Sequence, residues 1–445
     1  MALLHEQSCH CTSSQLDLFA VPPTQTSMVG GTWNEYHPIS NLLDGSPIEF
    51  HVAGSSEEYL DLSQTKLHIK AKITNADGSN LANDAPVAPA NLFLHSLFNQ
   101  CEVTLNDRLV SPASNNYPYR AYLETLLNYG REAKESQLTS ALFFKDTAGK
   151  MDVVDPTLDD AEANLGLKTR RGFTARSNLI DMIGPLHSDI FLQDKLLLSG
   201  VDMKVKLTPS ASTFCLISST PDPAYKVSIT HASMLIRRVR VNPSVSLAHA
   251  RALEVGTAKY PLTRVEVKAF SIPTGTMSIS KDNLFLGQLP QRLVIGCVDS
   301  DAYNGVMGKN CYNFKNLNVN FLSVTVDGKQ VPETKPLTPK FTVTGGQRYI
   351  EAYNTLYSGL NKMYRDTGSH ISRSEYAGGY TLYCFDLSPD LNSGDHLNLV
   401  QKGNLRLETR FANALPRTVM VIVYAEFQNI LEIDKSRNVI FDYSV

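Results

Sequence analysis

Residues 117–130 read YPYRAYLETLLNYG and residues 347–360 read QRYIEAYNTLYSGL. Tyr119, Tyr122, Leu123, Leu126 and Leu127 fall at i, i+3, i+4, i+7 and i+8. Tyr349, Ala352, Tyr353, Leu356 and Tyr357 repeat that spacing at an offset of 230, and Thr125 and Thr355 share the offset. This spacing lays one apolar stripe along a helix, which must then lie against another surface. Each helix is expected to pack its stripe on an end or flank of the sheets of its own half.

Outward from these helices, the other landmarks also occur twice and in the same order. TKLHIKA at 65–71 answers to QRLVIGC at 291–297, and VTLNDRLV at 103–110 to VTVDGKQV at 324–331, with the turn pair Asn106-Asp107 falling on Asp327-Gly328. LHSDI at 186–190 answers to LSPDL at 387–391, Gly200 to Gly403, and ITHAS at 229–233 to IVYAE at 422–426. Offsets that drift only where loops change length are the sign of a duplicated domain. Around the landmarks the chain reads as short strands. Leu67, Ile69, Ala71 and Ile73 alternate with His68, Lys70 and Lys72, the period of a strand with one buried face. A parallel sheet would need a crossover helix after nearly every strand, and the sequence lacks them. Each half is therefore expected to be an all-β sandwich or jelly roll with one short helix.

The boundaries follow from composition. Residues 1–45 are polar and turn-rich and read as an N-terminal arm, in which Leu16, Leu18, Phe19 and Val21 form an apolar cluster that needs a groove, on its own domain or on a neighbouring subunit. The first jelly roll spans 46–242, with a long polar stretch at about 131–178 expected as a surface loop. Asn242-Pro243 ends its last strand. Residues 243–258 read as a linker, and 259–445 as the second jelly roll with its tail.

Composition excludes several classes. The 445 residues carry a formal charge of −3, so no basic field draws nucleic acid. The apolar runs are too short to span a membrane, and the start, MALLHEQSCHC, lacks a signal peptide's basic and apolar regions, so export by that route is not expected. Seven scattered cysteines suit a reducing compartment.

Longer stretches carry a resemblance. LDLFAVPPTQTS at 16–27, WNEYHPIS at 33–40, PIEFHVAGSSEEYLDL at 47–62, NLFLHSLFNQCEVTLNDRLVSP at 91–112, the helix at 117–130 and SQLTSALFFKDTAGKMD at 136–152 look like the major capsid protein of Maverick/Polinton elements and adintoviruses. GGQRYIEAYNTLYSG at 345–359 and YTLYCFDLSPDLNSG at 380–394 continue it, so the resemblance covers nearly the whole chain. It implies a double jelly roll, a homotrimer forming a pseudo-hexagonal capsomer, and an icosahedral shell around double-stranded DNA. It also implies minor and penton capsid proteins as partners, a place in the virion after synthesis in the host cytoplasm or nucleus, and tower loops near 131–178. No catalytic residue and no cofactor comes with it.

Candidate chemistry is thin. His5, Cys9, His10 and Cys11 are metal-ligand types close together, but a zinc site usually takes two separated pairs and no second pair follows. Cys311 and Cys384 lack a histidine at diagnostic spacing and read as buried apolar residues. The acidic run Asp152, Asp155, Asp159, Asp160 and Glu162 departs from the calcium-loop pattern. Arg237, Arg238 and Arg240 suit an edge strand, a genome-facing patch or an interface. Gly345-Gly346 and Gly378-Gly379 lack the lysine and helix of a phosphate loop and read as turns. The alternative to a capsid protein is a carbohydrate-binding jelly roll or glycan-active enzyme, which should show an aromatic platform or a carboxylate pair. The single tryptophan, Trp33, lies in the arm.

Overall fold

The computed structural model describes residues 7–9, 11–42, 45–111, 114–220, 225–332, 335–391 and 396–441. Its first half contains β1 (Met28–Tyr36), β2 (Ile48–Val52), β3 (Glu58–Asn75), β4 (Val87–Pro89), β5 (Phe98–Leu105), β6 (Arg108–Leu109), β7 (Ile180–Gly184), β8 (Met203–Pro209), β9 (Leu216–Ser218) and β10 (Tyr225–Val241). The second contains β11 (Ala258–Ile272), β12 (Ser278–Lys281), β13 (Arg292–Asp299), β14 (Val319–Val326), β15 (Lys329–Gln330), β16 (Leu382–Asp386), β17 (Leu405–Phe411), β18 (Val419–Ile433) and β19 (Val439–Ile440). Four helices matter below: α1 (Tyr117–Asn128), α2 (Leu165–Thr174), α3 (Pro243–Val255) and α4 (Ile350–Ser358).

Each half is a sandwich of two sheets whose four-strand orders correspond one for one, with β19 added to β18 as a fifth strand in the second half. β1-β10-β3-β7 faces β2-β8-β5-β6 in the first half; β11-β18-β13-β16 faces β12-β17-β14-β15 in the second. The fold is a double jelly roll. Alternation places Leu67, Ile69, Ala71 and Ile73 of β3 in the core, each 0% exposed. The two hairpins share their turn: Asn106 and Asp107 at φ 44° and 64°, Asp327 and Gly328 at 49° and 80°. Positive φ at both central positions matches the twist of the strands that such turns join.

Three expectations are corrected. Part of the arm is the first strand of the first sandwich, because β1 pairs antiparallel with β10 over Met28–Tyr36, as β11 pairs with β18. Residues 243–258 hold α3, capped by the Asn242 side chain accepting from Ser244 N, with Pro243 at the first helical position. The stretch 131–178 is not a free surface loop. It contains α2 and buries Phe143, Met151, Leu167 and Arg170.

Candidate functional site

Helix α1 was expected to present one stripe, and its stripe is buried: Tyr119, Tyr122, Leu123, Leu126 and Leu127 are at most 3% exposed. Its other side is buried too, including Arg120 and Glu124 at 6% each. The reason is position. Instead of bracing only its own sandwich, α1 lies where the two halves meet, with Tyr122 stacked on Tyr312 and Tyr119 on Tyr303 of the second half.

A buried ionic network is built on this helix. Arg120 Nε donates to Glu124 Oε1 at 2.9 Å, its Nη2 lies 2.6 Å from Asp189 Oδ1, and His187 Nδ1 lies 2.5 Å from Glu124 Oε2. The second half joins in. Val265 N donates to Asp189 Oδ1 at 3.2 Å, and the Tyr424 hydroxyl lies 3.5 Å from Glu124 Oε1 and 2.9 Å from Glu426 Oε1. Burial works to raise the Glu124 carboxyl, but the Arg120 guanidinium and the His187 ring outweigh it and hold the group down to about 2. Ions so placed are tolerable only when each is paired, which fixes their geometry.

The 131–178 stretch straps the halves together from a second direction. Arg170 and Asp146, both with fully buried side chains, pair at 2.8 Å. Asn310 Nδ2 donates to Asp146 Oδ2 at 3.0 Å, and the Tyr380 hydroxyl to Asp146 O at 2.6 Å. Gly149 N donates to Gly378 O at 2.6 Å, in a contact so close that a Cβ on Gly378 would meet Gly149 N at 2.7 Å. The last carbonyls of α1 accept from two lysines, Lys134 to Leu126 O at 2.7 Å and Lys362, from the second half, to Asn128 O at 2.9 Å. Cations at a helix C-terminus complement its dipole. Burial holds the Lys134 amine down to about 7, and these groups hold one another or backbone atoms, so the arrangement positions two domains.

The remaining sequence candidates fall elsewhere. In α4, Ala352 and Leu356 are buried, Tyr349 is the buried residue preceding the helix, and Tyr353 and Tyr357 are half-buried, both donating to Ile371 O. Leu16, Leu18, Phe19 and Val21 are 68%, 75%, 98% and 86% exposed, so the arm does not pack across its own domain. Cys9 and Cys11 are exposed, while His5 and His10 lie outside the described residues. Cys311 and Cys384 are buried, and burial pushes both thiols up. In the acidic run, Asp152 pairs with Lys315, Asp159 with Lys168 and Glu162 with Lys150. β10 is central rather than an edge, so Arg237 and Arg238 serve its neighbours, pairing with Asp61 at 2.7 Å and Glu58 at 3.3 Å. Trp33 is half-exposed under Lys66 Nζ, 4.8 Å from the ring, which occupies the face a sugar would stack on.

Two surfaces are left uncovered where their counterparts are covered. β11 buries Tyr260, Leu262, Val265 and Val267, with Tyr260, Val265 and Val267 bonded to the first half, whereas its counterpart β1 has eight of nine residues exposed. Helix α1 is buried on all sides between the two halves, whereas α4 leaves Ile350 41% exposed and Tyr353 and Tyr357 half-buried. A groove of about 490 Å³, lined by Met28, Tyr59, Leu198, Leu253 and Tyr260 among others, runs beside α3. No helix among the described residues is long and apolar enough to cross a membrane.

No family model matches the chain. An uncharacterized protein of Caenorhabditis elegans, F54H12.2, is 27% identical over 439 residues, covering 95% of this chain and 99% of its own. Among solved structures, a chain of the Sputnik virophage aligns with a TM-score of 0.64 at 14% identity, over 98% of this chain and 93% of its own. The Faustovirus major capsid protein gives 0.58 at 9% identity, over 94% and 92%. The mavirus major capsid protein gives 0.54 at 12%, over 100% and 96%. These likenesses run through both sandwiches and are likenesses of fold.

Proposed function

We propose that the chain is the major capsid protein of a double-stranded DNA virus or Maverick/Polinton-type element. In this reading it is a structural subunit that assembles as a homotrimer and tiles an icosahedral shell. The observation that carries the reading is the mismatch between covered and uncovered counterparts. Within the chain, α1 of the first half meets β11 and its neighbours in the second. The uncovered counterparts are α4 in the second half and β1 in the first. If a neighbouring copy repeats the contact, α4 of one subunit lies against β1 of the next, and three copies close a ring of six similar sandwiches. The whole-length likeness to capsid proteins supports the same assembly. Leu16, Leu18, Phe19 and Val21 then contact a neighbouring subunit or capsomer, and minor and penton proteins fill positions that the trimer does not. The protein resides in the virion.

The test is mass in solution by light scattering, followed by negative-stain microscopy. The expected species is three copies of 49.1 kDa, about 147 kDa, with a hexagonal outline. A monomer at every salt and pH tried would overturn the proposal.

A further inference from the structure

We propose that Glu35, His68 and His231 form a binding site for a divalent transition-metal ion of the zinc class, which clamps β1 onto β10 and β3. The three residues come from three neighbouring strands. Ser233 of β10 lies directly opposite His68 of β3, His231 is two residues along the same face of β10, and Glu35 of β1 lies opposite Leu235. Pleating therefore brings all three to one face of the sheet. One ligand atom from each lies within 4.8 Å of the other two, and they are the one such group among the described residues.

The chemistry of each group fits. His68 Nε2 lies 2.5 Å from Asp181 Oδ1 on β7; a carboxylate only accepts, so Nε2 carries the proton and Nδ1 keeps its lone pair. That Nδ1 faces the cluster, 3.5 Å from Ser233 Oγ, and a carboxylate behind a metal-bound imidazole is the usual support for such a ligand. His231 Nε2 lies 3.2 Å from the same Ser233 hydroxyl and 3.9 Å from Glu35 Oε1. Two imidazoles and one carboxylate leave the fourth tetrahedral position to water, as in open zinc sites. Zinc–ligand bonds of about 2 Å require the three atoms to draw together by roughly 1 Å, which the exposed Glu35 and partly exposed His231 side chains permit. The surrounding charge is not prohibitive. Lys70, a neighbouring cation, lies 3.9 Å from Asp181 Oδ2, and the His37 ring stands 6.0 Å from that of His231. β1 is uncovered on both faces, so a bond across three strands would hold it where side-chain packing does not.

The full-length chain, purified without a histidine tag and stripped with chelator, is titrated with zinc chloride in a calorimeter. Cobalt(II) is titrated in parallel while the emission of Trp33 is followed, since Trp33 is two residues from Glu35 on the same face of β1. The expected results are one zinc per chain, affinity lowered at least tenfold in Glu35→Gln and in His231→Gln, and quenching of Trp33 that His231→Gln abolishes. Neither substitution should alter folding, because the side chains are 45% and 34% exposed; an unchanged melting temperature verifies this. The double variant Cys9→Ser/Cys11→Ser should keep its zinc. No binding by the wild-type chain would overturn the proposal. So would binding that survives both cluster substitutions or disappears with the cysteines.

Discussion

The phenol ring of Tyr122 lies flat on that of Tyr312, with centroids 4.0 Å apart and planes 4° from parallel, joining the helix of the first half to the second. Both side chains are fully buried, and neither hydroxyl has a hydrogen-bond partner among the described residues. Ring and hydroxyl should therefore respond oppositely to substitution. Truncating Tyr312 to Ala should cost about 3–5 kcal/mol through the lost volume, by analogy with other large aromatic truncations. Replacing Tyr122 or Tyr312 with Phe removes only an unsatisfied polar atom and should be neutral or stabilising by about 1 kcal/mol. Denaturant unfolding of the three variants separates the two effects. A Phe variant as damaging as Ala would mean that the hydroxyls are bonded after all.

A charge placed under either helix should be far worse. Leu126 and Leu356 are both 0% exposed, so Asp at either site buries an uncompensated carboxylate. Soluble trimer should be lost in both variants, as read by gel filtration of the soluble fraction. Normal trimer from Leu356→Asp would make α4 peripheral to its sandwich.

Acid should weaken the junction in a defined window. Glu124 is held down to about 2, against about 4.3 in an unfolded chain. A depressed carboxyl contributes stability that is complete above the unfolded value and disappears as pH falls through the folded one. The contribution is on the order of 3 kcal/mol, lost between about pH 5 and pH 2. Burial pushes the neighbouring Asp189 the other way, so Asp189 takes up its proton first. Stability measured by denaturant titration should fall through that window in the wild type and fall less in Glu124→Gln. Equal slopes would remove Glu124 from the acid response.

The duplication was legible because it rests on local signals. Turn pairs at 106–107 and 327–328, period-two strands and two helical stripes each follow from residues within one turn or strand. What was missed depends on contacts distant in sequence. The buried pairing of Arg120, Glu124, Asp146 and Arg170 left no signal along the chain, because their partners are scattered over it and burial is decided by those partners. β1 was read as arm because a strand exposed on both faces has no hydrophobic alternation to show. The cluster of Glu35, His68 and His231 exists only through cross-strand register, which no spacing rule along the chain reports.

Removing residues 1–27 should separate the capsomer from the shell. The cut stops before Met28, so β1 and its pairing with β10 survive, while Leu16, Leu18, Phe19 and Val21 are lost. Trimers should form at normal yield. If those four residues bind a neighbouring capsomer, shells seen by electron microscopy should disappear. Intact shells from the truncated chain would show that the arm is dispensable for assembly.

The assembly contact itself can be tested without touching either core. Ile350 of α4 and Trp33 of β1 are 41% and 48% exposed, on the two surfaces whose counterparts are covered within the chain. Ile350→Asp and Trp33→Asp leave a solvated carboxylate in an isolated subunit, so the melting of the monomer should change by no more than about 0.5 kcal/mol. In the ring of six, each places an uncompensated charge between packed surfaces, and truncation-scale penalties there reach about 2 kcal/mol or more. The expected outcome is a folded 49.1 kDa species in place of the trimer for each variant, read by light scattering. If both variants still trimerise at wild-type concentration, α4 and β1 do not meet, and the subunits join through other faces.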